Sequence, residues 1–342
     1  MHRSLIGHYQ EMRKIDINAE VGHFLNQLIT EVQQEYQTFQ ATFLNIGCSF
    51  YLGKSVPRTD LISTAFLNEP PGDHEISIYV SSNSHTFSLA SSRVVEIIKE
   101  FHPITNKFGD YRFSSDPSGK FVYVYSRLEK IGAVWISPTI NETPEMLITP
   151  FRTLISWILE EMGGIILHAS SFTVSGQNVL LAGPSGSGKS TIAFEALSHS
   201  EEVICDDAIS LTTNGCFPIY GKMKMKSVVD SIEISGSQFK CERVGTKSIL
   251  NLSQVSTFRK KWYRPDFLLF PSLSFKSEFI EISMNETLKK IVTDSFSETL
   301  GSPIGALKLI NASLSNTRKF DWKLDSDPNL NWEELKMWVT KI

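Results

Sequence analysis

Asn178-Val179-Leu180-Leu181-Ala182-Gly183-Pro184-Ser185-Gly186-Ser187-Gly188-Lys189-Ser190-Thr191 decides the fold of this chain. Residues 178–182 are an apolar run of strand length, and Thr191 to Ser198 opens an amphipathic helix, so the glycines fall at a strand-to-helix turn. The turn fits G-x-x-x-x-G-K-[ST] at every position. Glycines there let the backbone bend until successive N–H groups face phosphate oxygens, and the helix N-terminus adds partial positive charge where the anion sits. Lys189 is then placed to reach the β- and γ-phosphates, and Ser190 to offer its hydroxyl to Mg²⁺. Residues 183–191 are therefore the expected nucleotide-binding segment, with ATP and Mg²⁺ as the expected cofactors.

A second signal follows after a single helix. Glu202-Val203-Ile204-Cys205 reads as another strand, and it delivers Asp206 and Asp207 at its end, where open sheets keep their ligands. Adjacent carboxylates divide the work of phosphoryl transfer: one holds Mg²⁺ directly or through water, and the other takes the proton of an attacking hydroxyl. A purely structural pair would have one aspartate capping a turn and the other solvated. In most P-loop ATPases the metal-binding aspartate comes only after a further strand and helix, so the short link points to a phosphotransferase.

At 342 residues, 41% hydrophobic and 20% charged, the chain is long enough for two domains and globular in composition. Its net charge of -4 gives no basis for a nucleic-acid partner. Cys48, Cys205, Cys216 and Cys241 form no C-x-x-C pair and no zinc spacing, which fits reduced thiols in a cytosol. Met1-His2-Arg3-Ser4 leads into polar sequence, and no apolar run has membrane-spanning length, so a cytoplasmic protein without a membrane partner is expected.

Asn18 to Phe39 carries apolar residues at helical spacing (Val21, Phe24, Leu25, Leu28, Ile29, Val32) and predicts one helix. From Thr42 to Ser137 the pattern changes to short runs: Phe43 to Ile46, Ile76 to Val80, Phe121 to Tyr125 and Ile131 to Ile136. Turn signals at Pro70-Pro71-Gly72-Asp73 and Ser115-Asp116-Pro117-Ser118-Gly119 separate them. Pro144 to Met162 predicts a single helix ended by Gly163-Gly164. The expected division is an N-terminal β-rich α+β domain over residues 1–145 and a catalytic domain over residues 146–342.

Ile165-Ile166-Leu167-His168-Ala169-Ser170-Ser171, the turn Ser175-Gly176-Gln177, the glycine-rich loop and Val203-Ile204-Cys205-Asp206-Asp207 together resemble the HPr serine kinase family and its stand-alone relatives, which share a nucleotide site with ATP-dependent phosphoenolpyruvate carboxykinase. Phe267-Leu268-Leu269-Phe270-Pro271, followed by a helix over 285–295, adds to the likeness, which covers roughly residues 148 to 300. The resemblance implies an α/β P-loop kinase domain of that type. It implies that Asp206 is similar to the family's general base, that Asp207 assists through the metal, and that His168, on the strand before the loop strand, bonds an aspartate or a phosphate. The two aspartates' roles are interchangeable at this stage. It also leaves a homo-oligomer open, since HPr kinases form hexamers.

The chain departs from that family in two places. Thr191 stands where HPr kinases usually have Glu, and Glu233-Ile234-Ser235-Gly236 resembles the E-I-R-G signature without its arginine; Glu233 is kept as a candidate metal ligand. The chain looks closer to HPr kinase-like proteins of peptide natural-product pathways, such as those encoded with lasso peptides. The resemblance thus implies a kinase acting on a serine hydroxyl of a peptide or protein, for example a natural-product precursor peptide. A small alcohol such as free serine is the alternative acceptor, and a nucleotide-sensing module without transfer is the non-enzymatic alternative.

Between Ile219 and Arg264, ten lysines and arginines stand against Asp230, Glu233 and Glu242. Lys222-Met223-Lys224-Met225-Lys226 alternates with period two, so a strand would put lysines on one face and methionines on the other. Such a stretch is either a solvated strand face or a cationic wall beside the nucleotide, with Lys222, Lys224 and Arg264 as candidate contacts to substrate or phosphate. Ile234 to Gln238 is similar to an ABC-type signature but lies too close to the glycine-rich loop, and Asn106 to Asp110 precedes the loop, which is the wrong order for guanine recognition.

Overall fold

The computed structural model describes residues 17–43, 46–66, 74–83, 106–108, 110–115, 120–139, 144–225, 229–259, 261–274, 276–295 and 303–342. It is a mixed α/β protein with several sheets. The chain divides into two compact units, Met1–Thr59 with Pro70–Asn141, and Asp60–Glu69 with Glu142–Ile342.

In the first unit, α1 (Ile17–Val32) buries Val21, Phe24, Leu25, Leu28 and Val32 against Phe113, Val124 and Trp135 of a sheet. The helix stops at Val32, short of the expected Phe39. Tyr36-Gln37-Thr38-Phe39 instead opens β1 (Tyr36–Phe43), because aromatic and β-branched residues favour a strand and Phe39 stacks on Phe50 of β2 (Ile46–Gly53) with ring centroids 4.5 Å apart. The register runs from Tyr36 opposite Gly53 to Phe43 opposite Ile46, so the run expected as one strand spans a hairpin whose residues 44 and 45 lie outside the described residues. A short α2 (Thr59–Ser63) follows. β3 (His74–Ser81), β4 (Asn106–Phe108), β5 (Tyr111–Ser115), β6 (Phe121–Ser126) and β7 (Ile131–Ile136) complete, among the described residues, a seven-stranded sheet ordered β1-β2-β3-β7-β6-β5-β4. The turn signals at Pro70 to Asp73 and at 116–119 lie outside the described residues.

The second unit opens with two helices where one is expected: α3 (Pro144–Ile148) and α4 (Arg152–Glu161). Pro150 lacks an N–H and clashes with the preceding turn, and Phe151 takes a left-handed φ of 58°, so the helix is broken and restarted there. The next elements are β8 (Ile165–Leu167), β9 (Ala169–Val174), β10 (Gln177–Ala182), α5 (Lys189–Ser198), β11 (Val203–Cys205), β12 (Ile209–Thr212), β13 (Gly215–Pro218), β14 (Lys222–Met225), β15 (Ser231–Ile234), β16 (Ser237–Val244) and β17 (Lys247–Asn251). They are followed by β18 (Phe267–Leu273), β19 (Glu278–Glu281), α6 (Met284–Ser295), α7 (Pro303–Ser313), β20 (Arg318–Leu324) and α8 (Pro328–Lys341).

The described strands of this unit form a six-stranded sheet ordered β11-β9-β10-β18-β20-β19, a three-stranded sheet β13-β12-β8 and a four-stranded sheet β14-β17-β16-β15. β10 runs parallel to β18, and β18 to β20. β9 is antiparallel to both β10 and β11, so β11 also points the same way as β10. The carboxyl ends of β10, β11, β18 and β20 therefore meet along one edge of the sheet. One face is sealed by α5 and α8, where Ile192, Ala193, Ala196 and Leu197 pack with Trp332, Leu335 and Phe172. Met223 and Met225 of β14 join that core, as period-two alternation predicts, which leaves the lysines on the other face of the strand. All four cysteines are buried and free. Among the described residues no helix is long and apolar enough to cross a membrane.

Candidate functional site

Strand order explains why residues far apart in sequence meet. β10 ends at Ala182 and hands the chain to the glycine-rich loop; Ala169, at the start of antiparallel β9, lies opposite Ala182, so His168 just before it reaches the same end. Cys205 ends β11 opposite Ser171 of β9, which delivers Asp206 and Asp207 to that end as well. His168 sits at the break between β8 and β9 rather than within a continuous strand.

The loop has the backbone its glycines permit. Gly188 has φ 105°, a backbone conformation that favours glycine, and a Cβ built on it would lie 2.7 Å from Leu324 Cδ1 of β20, so the tip of that leucine would have to move aside. α5 starts at Lys189, two residues before the predicted Thr191. Lys189 is buried, and its Nζ donates to Gly183 O at 2.6 Å and Pro184 O at 2.9 Å, which curls the loop around the ammonium. Ser187 Oγ and Thr191 Oγ1 are buried without a hydrogen-bond partner. Both hydroxyls lie at the junction of the loop and α5.

The two aspartates occupy different environments. Asp206 is fully buried; Oδ1 accepts from Ser170 Oγ at 2.6 Å and Oδ2 from the Lys224 backbone N–H at 3.2 Å. Burial pushes its carboxyl above the ordinary value and Asp207 adds to the push, against hydrogen bonds from Ser170, Ser190 and the Lys224 backbone. Asp207 holds a left-handed φ of 74° that turns it toward a cleft. His168 Nδ1 lies 3.1 Å from Asp207 Oδ1, an ion-pair distance at an angle outside hydrogen-bond geometry. Burial alone would raise the Asp207 carboxyl, but the contact with His168 and the charges of Arg152 and Lys224 outweigh it and hold it well below the usual carboxylate range.

The cleft, about 190 Å³, is lined by the loop residues Ser185, Gly186, Gly188, Lys189, Ser190 and Thr191, by His168 and Asp207, and by Lys224, Met225 and Lys247. A second cleft of about 580 Å³ shares Ser185 and Gly186 with the first and is lined by the loop from Gly183 to Ser187, by Phe270 and Leu273, and by Lys289, Lys290 and Thr293 of α6.

Several sequence-predicted contacts are not brought to this place. Glu233 is exposed on β15, the outermost strand of its sheet beyond β17 and β16, and its hairpin turn meets the far end of α5 through Ser235 Oγ and Ser200 Oγ, 2.6 Å apart. The Glu233 to Gly236 similarity is thus a two-residue turn with Ser235 and Gly236 at positive φ. Arg264 lies at the opposite end of the sheet, where its carbonyl accepts from Asn178 Nδ2 at the start of β10. Lys222 is buried and does not line either cleft. Lys226 and Lys260 lie outside the described residues. Conversely, Ser170 and Lys247 belong to the site without having been singled out. Ser170 carried a weak signal, a serine in an apolar strand that must find a buried partner. Lys247 was one of ten cations with nothing local to distinguish it.

No protein-family model and no curated protein matches this sequence. Among solved structures the chain is similar to the Hpr(Ser) kinase/phosphatase from Coxiella burnetii, at 14% identity and a TM-score of 0.28, over 52% of this chain and 97% of that one.

Proposed function

We propose that the second unit transfers the γ-phosphoryl group of ATP to a hydroxyl, taken here to be a serine hydroxyl of a peptide or protein. The observation that carries this reading is the single cleft lined both by the glycine-rich loop with Lys189 and by Asp207 with its partner His168.

The residues fit a bound Mg²⁺-triphosphate. The orphaned hydroxyls of Ser187 and Thr191 and the N-terminus of α5 suit phosphate oxygens. Ser190 and Asp207, which line the cleft, would supply hard oxygen donors, and among the described residues no group of three or more His, Cys, Asp or Glu side chains stands ready to cage an ion. That is how Mg²⁺ is usually held, by one or two carboxylates together with substrate phosphates. Bound Mg²⁺ would neutralise charge on the β- and γ-oxygens. The second cleft, within the size range of small-molecule sites, would take the nucleoside against Phe270.

The protein's own part in the reaction is positioning. Lys189 exchanges loop carbonyls for phosphate oxygens. Asp207 faces the cleft, so it, rather than the enclosed Asp206, orients the acceptor hydroxyl and receives its proton, with His168 beside it to carry the proton outward. A depressed carboxyl is a weak base, but a loose phosphoryl-transfer transition state asks more for placement than for basicity. Asp206 fixes the frame by tying β9 through Ser170, α5 through Ser190 and β14 through the Lys224 backbone. Incubation with γ-labelled ATP, Mg²⁺ and serine peptides, read by mass spectrometry, tests the reading. Phosphate on free serine alone would make the acceptor a small alcohol, and ATP binding without transfer would make the unit a sensor.

A further inference from the structure

Two lysines of the cleft come from neither the loop nor its helix. Lys224 lies on β14 opposite Ile249 of β17, and Lys247 stands two residues before Ile249 on the same strand. Residues directly opposite share a face of an antiparallel pair, and so do residues two apart, so Lys224 and Lys247 are diagonal neighbours about 7–8 Å apart. Both are half-buried and both line the cleft beside Asp207. Like charges at such a separation repel, and partial burial weakens the screening that would relieve them. Among the described residues the Lys247 ammonium has no hydrogen-bond or ion-pair partner. The one carboxylate lining the cleft among the described residues, Asp207, is already shared by His168 and the Lys224 charge, which leaves Lys247 without a counter-charge there.

Lys189 and the N-terminus of α5 already offer positive charge to a triphosphate, and Lys224 and Lys247 reach the same cleft from a separate sheet. We propose that Lys224 and Lys247 form an acceptor subsite for a carboxylate, so that the hydroxyl to be phosphorylated is presented next to an acidic group. The proposal rests on the kinase reading above and names the substrate class for it. It also selects among the ten cations of residues 219–264: Lys224 and Lys247 would meet the acceptor, while Arg264 at the far end of the sheet would not.

The test uses the full chain with Mg²⁺ and two serine peptides identical except for flanking glutamates or flanking lysines, each measured for phosphorylation by mass spectrometry and, with a non-hydrolysable ATP analogue, for binding by fluorescence anisotropy. The expected result is a preference for the acidic peptide of about tenfold or more, lost or reversed in Lys247→Glu, while a fluorescent ATP analogue binds the variant within about twofold of wild type. L-serine against serinamide supplies the small-molecule arm: a preference for L-serine with none between the peptides would assign the subsite to an amino-acid carboxylate. Equal use of both peptides and of both small acceptors would overturn the proposal and leave the kinase reading standing. Acidic-peptide binding that depends on Lys247, without transfer to any hydroxyl, would keep the subsite and sink the kinase reading. Weaker ATP binding in Lys247→Glu with an unchanged acceptor preference would hand both lysines to the nucleotide and overturn the proposal.

Discussion

His168 Nδ1 stands 3.1 Å from Asp207 Oδ1, and between the two residues in the chain lie β9, β10, the glycine-rich loop, α5 and β11. Their pairing keeps Asp207 ionised in a nearly closed position while its backbone sits at φ 74°. Asn is tolerated in that backbone region nearly as well as Asp, so Asp207→Asn removes the charge without forcing the chain to move. Phosphoryl transfer is expected to fall by about 10²–10⁴-fold while ATP binding persists. A loss of ATP binding equal to the loss of transfer would place Asp207 in the nucleotide site alone.

The same substitution makes a pH-dependent prediction. The folded-state carboxyl of Asp207 is depressed, so its stabilising contribution is present above the unfolded value of about 3.9 and is lost as pH falls through the lower folded value. Urea unfolding should show wild type more stable than Asp207→Asn at neutral pH, with the gap closing below about pH 4. A gap that stayed constant to low pH would mean that His168 and Asp207 contribute nothing through charge.

Ser170 has no role except through Asp206. Its hydroxyl donates at 2.6 Å to a carboxylate with no solvent access, so Ser170→Ala should cost about 1.5–3 kcal/mol by chemical denaturation. Because that hydrogen bond pulls the Asp206 carboxyl down, its loss should raise the carboxyl further. A stability loss below about 0.5 kcal/mol would show that the bond adds nothing to the frame.

Gly188→Ala should strain the loop through its positive φ of 105°, with Leu324 Cδ1, 2.7 Å from the added Cβ, having to move aside. The backbone term alone is about 1–3 kcal/mol, and the displaced loop should no longer bind a fluorescent ATP analogue. Wild-type affinity in this variant would show that the loop does not need the conformation described.

Glu233→Gln and Arg264→Ala should both leave transfer rates within about twofold of wild type, as substitutions away from the site normally do. Each residue lies away from the loop, one on an outer strand and the other at the opposite sheet edge. A tenfold or larger rate loss in Glu233→Gln would restore it as a metal ligand.

What the sequence made legible was local. The strand, the glycines and the helix of residues 178–198 declare themselves by residue type and spacing, as do Asp206 and Asp207 at the end of an apolar run. The helix at 17–32 was visible too, but its end was not, because Tyr36 to Phe39 is held in a strand by pairing with Phe50 to Gly53. Pro150 was available as a breaker inside the 144–162 pattern, and it did break the helix. Strand order was the part that could not be read. Antiparallel β9 brings Ser170 and His168 to the aspartates, and the β14 to β17 pairing brings Lys247 to Lys224. The same order carries Glu233 and Arg264 away, although both are close in sequence to residues of the site.

The account stands most directly on one measurement: mass-spectrometric localisation of phosphate after incubating wild type, Lys189→Met and Asp207→Asn with γ-labelled ATP, Mg²⁺ and serine-containing acceptors. The predicted result is labelled phosphate on a serine hydroxyl with wild type, none with Lys189→Met, and a strongly reduced amount with Asp207→Asn. Tight ATP binding by wild type with no label on any hydroxyl, peptide or small molecule, would contradict it.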